Sequence, residues 1–203
     1  MRSKTRNLVL LALMSIATLG VSSASAQPGP LFVSALGDDA NSGDSPKYPL
    51  RTITKALSLG APDVVILDSG MYDTFSMVSP VIIETAPGAV ALIPPTGASA
   101  AASINVAPTE TVVLRGLSFT GGGPNAGVNT TRGNVSIENC VISNFKNWGI
   151  YQDTGGSWLT VKDCTVRNCG RGIFVNWKHI PKIAMRRMSG RIVLKQPSAI
   201  PLS

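Results

Sequence analysis

Side chains that move protons, bind metals or stack on rings are sparse in these 203 residues. Lys162, Asp163 and Arg167 place two cations beside a carboxylate, and Glu138 and Asn139 stand 24 residues before Lys162 and Asp163. A base held near carboxylates is equipped to take a proton from an acidified carbon. Asp153 and Asp163 form a second carboxylate pair, the composition of acid–base hydrolysis. Asp153, however, stands in Gln152-Asp-Thr-Gly-Gly156, which is turn chemistry first. Asp38, Asp39 and Asp44 offer oxygens at roughly the spacing of a Ca²⁺ loop but lack its closing glutamate, so a hydrogen-bonded turn is expected there. Trp148, Tyr151 and Trp158 fall close together, suited either to stacking on sugar rings or to filling a corner. The only histidine, His179, leaves Ser–His–Asp and Cys–His catalysis unsupported, and no Cys/His spacing suits zinc.

The elements that must carry these residues are announced by a repeat. Leu114-Arg-Gly-Leu-Ser-Phe-Thr-Gly121, Ile137-Glu-Asn-Cys-Val-Ile-Ser-Asn144 and Val161-Lys-Asp-Cys-Thr-Val-Arg-Asn168 align at offsets of 23 and 24. Gly127-Val128, Gly149-Ile150 and Gly172-Ile173 follow at offsets of 22 and 23. A fixed period of this size marks stacked units, none of which buries a core alone. In each unit the first, fourth and sixth positions are apolar. The step from fourth to sixth is the alternation of a strand, with β-branched residues enriched. The eighth position is Gly121, Asn144 or Asn168, residue types that tolerate positive φ, so a left-handed corner is expected there. Stacked asparagines also bond one another along a strand-stacking axis.

One coil of two or three short strands every 22–24 residues is a parallel β-helix, an all-β solenoid. Cys140 and Cys164 then share an inward slot in adjacent coils and read as a small apolar ladder, with a disulfide between them the less favoured alternative and Cys169 left alone. Arg115, Glu138 and Lys162 stack with alternating sign, as an ion-paired outer face does. That solvated face is preferred to catalysis by Lys162, Asp163 and Arg167. Val64–Leu67, Val81–Glu84, Val90–Ile93 and Ser103–Val106 are earlier strands of less regular spacing, giving about five coils. Ile53, Ala56, Leu57 and Gly60 suit a short helix that covers the open edge of the first coil.

The run Phe32-Val-Ser-Ala-Leu-Gly-Asp-Asp-Ala-Asn-Ser-Gly43, then Pro49-Leu-Arg-Thr-Ile-Thr-Lys-Ala-Leu57 and Asp63-Val-Val-Ile-Leu-Asp-Ser-Gly-Met-Tyr72, resembles the opening of right-handed parallel β-helix proteins of the pectate-lyase-like superfamily. The resemblance spans roughly residues 31–175. It implies the fold, and only a range of roles: lyases, hydrolases, epimerases and non-enzymatic adhesins share it. For a lyase it would imply Ca²⁺ held by several carboxylates and a Lys or Arg near the sugar's acidic proton. No such set of aspartates converges in the repeat.

Charged residues are 14% of the chain, against about 25% in an ordinary domain, while Gly and Pro number 20 and 14. That composition excludes helical bundles and charged disordered chains. The net charge of +7 misleads, because residues 27–175 hold nine bases against eleven acids. Nucleic acid is therefore an unexpected partner. Met1–Arg6 is basic, Leu8–Val21 is apolar but short for a membrane span, and Ala24-Ser-Ala26 is a cleavage site. The chain is thus expected to be a secreted or periplasmic protein cut near Ala26-Gln27, without a membrane span.

The predicted order is a signal peptide (1–26), a lead-in segment with the capping helix (27–60), the β-helix (61–175) and a basic tail (176–203). In the tail, Ile183, Met185 and Met188 continue the offset of 24, but Gly190 then falls under the inward Val166 and Ile192 under the Asn corner. A degenerate cap or a truncated, frameshifted end accounts for this, and truncation is favoured. The functional expectation is a non-catalytic, carbohydrate-associated surface or periplasmic protein that needs no cofactor. The alternative is an acidic-polysaccharide lyase or hydrolase, or a fragment of one.

Overall fold

A computed structural model describes residues 29–95, 100–122, 125–153 and 157–176, together with the backbone of 193–195. Strand β1 (Leu31–Val33) and helix α1 (Ile53–Ser58) precede five successive triplets of strands. These are β2 (Asp63–Ile66), β3 (Gly70–Met71) and β4 (Phe75–Met77); β5 (Ile82–Thr85), β6 (Ala91–Ile93) and β7 (Ala102–Asn105); β8 (Thr111–Arg115), β9 (Leu117–Thr120) and β10 (Val128–Arg132); β11 (Asn134–Glu138), β12 (Val141–Ser143) and β13 (Trp148–Gln152); and β14 (Leu159–Lys162), β15 (Thr165–Arg167) and β16 (Arg171–Val175). Equivalent strands pair in parallel into three sheets, in the orders β1-β2-β5-β8-β11-β14, β3-β6-β9-β12-β15 and β4-β7-β10-β13-β16. Each coil visits the first, second and third sheet in turn, so the expected coil has three strands.

The registers explain the repeat. Val64, Ile83, Leu114, Ile137 and Val161 face one another down the first sheet, and Ile93, Phe119, Ile142 and Val166 down the second. Val128, Ile150 and Ile173 do the same in the third. All but the partly buried Ile173 are fully enclosed. Each such side chain contributes roughly 1.5–3 kcal/mol through burial. The core is therefore a set of parallel apolar rows running along the axis, which no single coil completes.

The corners differ from expectation in part. Asn144 and Asn168 have φ of 65° and 53°, and Asn168 donates to Asn144 Oδ1 at 3.3 Å, the expected asparagine stack. Gly121 is not left-handed. It is needed because a Cβ there would stand 2.7 Å from the Phe145 ring. A second left-handed corner lies at the third position of each unit: Gly116, Asn139 and Asp163, at φ of 72°, 52° and 51°. Asn and Asp are the non-glycine residues that adopt this conformation most readily.

The capping helix forms as expected. Thr52 caps its N-terminus by accepting from Lys55 N–H at 3.1 Å, and Ile53 and Ala56 are buried against β1, β2 and β4. Asp39 accepts from the N–H groups of Arg51 and Thr52 and from the Thr52 hydroxyl. Asp73 accepts from the N–H groups of Ile53 and Thr54 and from the Thr54 hydroxyl. Asp68 ties the lead-in to the first coil through Ser34, the Ala35 N–H and the buried Tyr72 hydroxyl. Burial alone would raise the Asp68 and Asp39 carboxyls, but these hydrogen bonds together hold both below the ordinary 3.8.

Carboxyls depressed in the folded state contribute stability above their ordinary range and lose it as pH falls through the folded value. The melting temperature is accordingly expected to drop on acidification below about pH 4. Asp39→Asn and Asp68→Asn should lower it at pH 7 and flatten its fall with acid; parallel pH profiles in wild type and variants would contradict this.

The tail departs from the expected register. Strand β17 (Val193–Lys195) pairs with β15 in the second sheet and sets Leu194, not Gly190, opposite Val166. The offset there is 28 residues rather than 24, so the strand comes four residues later than the repeat implies. The expected signal peptide, His179, Ile183, Met185 and Met188 lie outside the described residues.

Candidate functional site

On the third sheet the inward residues Val128, Ile150 and Ile173 are followed by residues that face outward, as strand alternation requires. Registers place Ser76, Ser103, Asn129, Tyr151 and Phe174 in one outward row. Three rungs carry small polar side chains and the next two carry rings, so the surface rises in a step at Tyr151. Tyr151 and Phe174 lie nearly parallel, with centroids 5.5 Å apart and 5° between their planes. Trp148 closes on Tyr151 at 4.8 Å, and the Arg171 guanidinium stands 5.8 Å from the Phe174 centroid. The ring faces toward the last coil are thus taken up by one another.

At the foot of the step lies a cleft of about 270 Å³, lined by Ala100, Asn125, Ala126, Asn129, Trp148 and Tyr151. Its size is just below the 300–1,000 Å³ of sites for whole small ligands. It suits one sugar ring, or one substituent of a chain lying on the open sheet. None of the six lining residues is charged. Asn129 Oδ1 and Trp148 Nε1 are shut off from solvent without a hydrogen-bond partner. Burial raises the Tyr151 phenol, and Asp153 beside it adds to the effect, so the ring stays neutral.

Of the three aromatic residues singled out in the sequence, Trp148 and Tyr151 meet here. Trp158 does not line the cleft; it is 41% exposed just before β14, its backbone N–H donating to Asn134 Oδ1. Asn129 and Phe174 were missed. The signal was present, since Asn129, Tyr151 and Phe174 follow the Gly-Val and Gly-Ile pairs at the same offsets of 22 and 23.

The basic and acidic candidates are dispersed. Lys162 ends the first sheet's β14, Asp163 is the left-handed corner, and Arg167 lies on the second sheet. In the rows ahead of Lys162, Arg115 bridges Glu84 at 2.8 Å and Glu138 at 3.2 Å, and Lys162 continues the alternation of sign opposite Glu138 through register. The Ser136 hydroxyl and Arg115 hold the Glu138 carboxyl below its ordinary range. Arg115 is 42% exposed, and such a pair contributes at most about 1 kcal/mol. Asp153 follows β13 on the third sheet and Asp163 is the corner after β14 on the first, so the two lie on adjacent coils but on different sheets, and Asp153 accepts from Asn176 Nδ2 at 2.6 Å. Asp38 and Asp44 accept from Ala40 N–H and the Ser42 hydroxyl within their own turn, while Asp39 accepts from Arg51 and Thr52 ahead of the helix. Among the described residues no three His, Cys, Asp or Glu side chains converge on a metal site. No helix among the described residues is long and apolar enough to cross a membrane.

The cysteines are free, and Cys140 and Cys164 stack in the core at 1% exposure each. The Cys140 N–H points to Cys164 Sγ at 3.4 Å. The hydrogen bond with Cys164, then burial, pushes the Cys140 thiol up, and burial does the same for Cys169. At neutral pH an alkylating reagent is expected to leave all three untouched in the folded chain and to label three in denaturant. Rapid labelling of Cys140 or Cys164 under native conditions would contradict the ladder.

A parallel β-solenoid with a ring-walled cleft on one outer face is the class that the geometry defines. The chain folds as a parallel β-helix, and its residues 96–185 match the family described as right handed beta helix region, in keeping with the pectate-lyase-like resemblance. Searches of curated proteins and of solved structures found no match.

Proposed function

We propose that this chain is an exported, non-catalytic, carbohydrate-associated protein that holds a glycan on the outer face of its third sheet. The observation that carries the reading is the step from Asn129 to Tyr151: a ring face stands over a small uncharged cleft beside a row of serine and asparagine side chains. Sugar rings offer apolar C–H faces for stacking and hydroxyls for hydrogen bonds, and this surface supplies partners for both. Export rests on the N-terminal basic, apolar and Ala-x-Ala pattern.

The test is retention of the purified chain on insoluble chitin, cellulose and pectate, with release by the matching soluble oligosaccharide. Retention on at least one polymer is expected, with no ultraviolet-absorbing unsaturated product from pectate in the presence of Ca²⁺. Absence of retention on every polymer, or steady formation of product, would overturn the reading.

A further inference from the structure

The glycan reading leaves open which sugar the cleft takes, and the lining narrows it. A carboxylate needs cationic or multiple N–H partners when it leaves water. The six lining residues include no cation, and the nearby Arg171 is placed over Phe174, one coil beyond Tyr151. Among the six lining residues an acidic sugar therefore finds no cation to replace its hydration.

Two lining side chains hold opposite hydrogen-bonding functions without partners: Asn129 Oδ1 accepts only, and Trp148 Nε1 donates only. A buried polar atom left unpaired costs about 1–3 kcal/mol, so a ligand that pairs both gains more than one that pairs neither. A secondary amide carries one acceptor and one donor. Ala100 and Ala126, both nearly buried, give the cleft an apolar floor of methyl size. The acetamido group of a sugar presents these three features together: a carbonyl for the indole N–H, an N–H for the asparagine oxygen, and a methyl for the alanines. A hydroxyl brings no methyl and must serve both atoms from one oxygen. Because both atoms lie just beneath the lining, Asn129 and Trp148 must turn outward to meet the ligand.

We infer that the cleft selects an N-acetylated hexosamine residue, with Trp148 and Asn129 reading its amide and Tyr151 stacking on its ring; this rests on the glycan-binding reading above. The experiment is calorimetric or NMR titration of the purified chain with chitotetraose, cellotetraose and tetragalacturonate, the first two sharing one linkage and differing in the acetamido group. Chitotetraose is expected to bind at least about ten-fold more tightly than cellotetraose. The preference should vanish in Trp148→Phe, which keeps a ring and removes the donor, and in Asn129→Ala, which serves if the first variant does not fold. Equal binding of chitotetraose and cellotetraose, tighter tetragalacturonate, or a preference that survives in a folded variant overturns the inference while leaving glycan binding standing. Binding of none of the three overturns both.

Discussion

Gly149→Ala is expected to unfold the chain or to lower its stability by about 3 kcal/mol or more. Gly149 and Gly172 are the second residues of β13 and β16 and Gly127 directly precedes β10, and at Gly127 and Gly149 the next coil approaches more closely than a Cβ allows. A Cβ on Gly149 would stand 2.6 Å from the carbonyl oxygen of Gly172, 2.6 Å from Val166 Cγ1 and 3.3 Å from Cys169 Sγ. Overpacking against side chains alone costs typically about 1–3 kcal/mol. Here one obstacle is backbone that is itself fixed by the register of β13 and β16. Against a total stability of about 5–15 kcal/mol, that loss removes a large share. Gly122→Ala is the control, because nothing lies within 4 Å of its Cβ position. Denaturant midpoints should fall sharply for Gly149→Ala and stay within error for Gly122→Ala; an unchanged midpoint for Gly149→Ala would contradict the close coil approach.

The second large effect is on binding. Tyr151 is the rung at which the outward row changes from small polar residues to rings, and its face toward Asn129 borders the cleft. Tyr151→Ala removes the wall and also the ring that packs against both Phe174 and Trp148. Loss of one stacked ring is worth about 1.5 kcal/mol or more, so retention on the preferred polysaccharide should weaken roughly ten-fold. Trp158→Ala, which alters no residue lining the cleft, should retain wild-type binding. The reverse ranking, with Trp158→Ala the weaker binder, would move the site to the first sheet.

The solenoid was legible because burial repeats at the coil period: Ile137, Cys140 and Ile142 recur as Val161, Cys164 and Val166, and each apolar slot faces its equivalent one coil away. The eighth-position asparagines were legible for the same reason. The corner at Gly116, Asn139 and Asp163 was not, since Asp163 drew attention as a carboxylate beside Lys162, whereas its conformation is what the fold requires. The glycines at the start of the third-sheet strands form a pattern whose cause is the approach of neighbouring carbonyls. The site was half legible. Aromatic type marked Trp148 and Tyr151, but Asn129 and Phe174 become their neighbours through pairing between coils, and the outward row has no burial pattern to announce it. The later register of β17 was hidden because a connection lengthened by four residues shifts the repeat without changing its composition.

The most direct test of the central claim, that the third sheet's outer face is where the chain binds its ligand, is a residue-resolved titration. A uniformly ¹⁵N-labelled sample would be titrated with chitotetraose and, separately, with cellotetraose, while backbone amides and indole N–H signals are followed. The expected result is saturable shifts confined to Asn125, Ala126, Asn129, Tyr151 and the Trp148 indole with at least one of the two sugars. Shifts centred instead on Lys162, Asp163 and Arg167, or no saturable shift with either sugar, would contradict it.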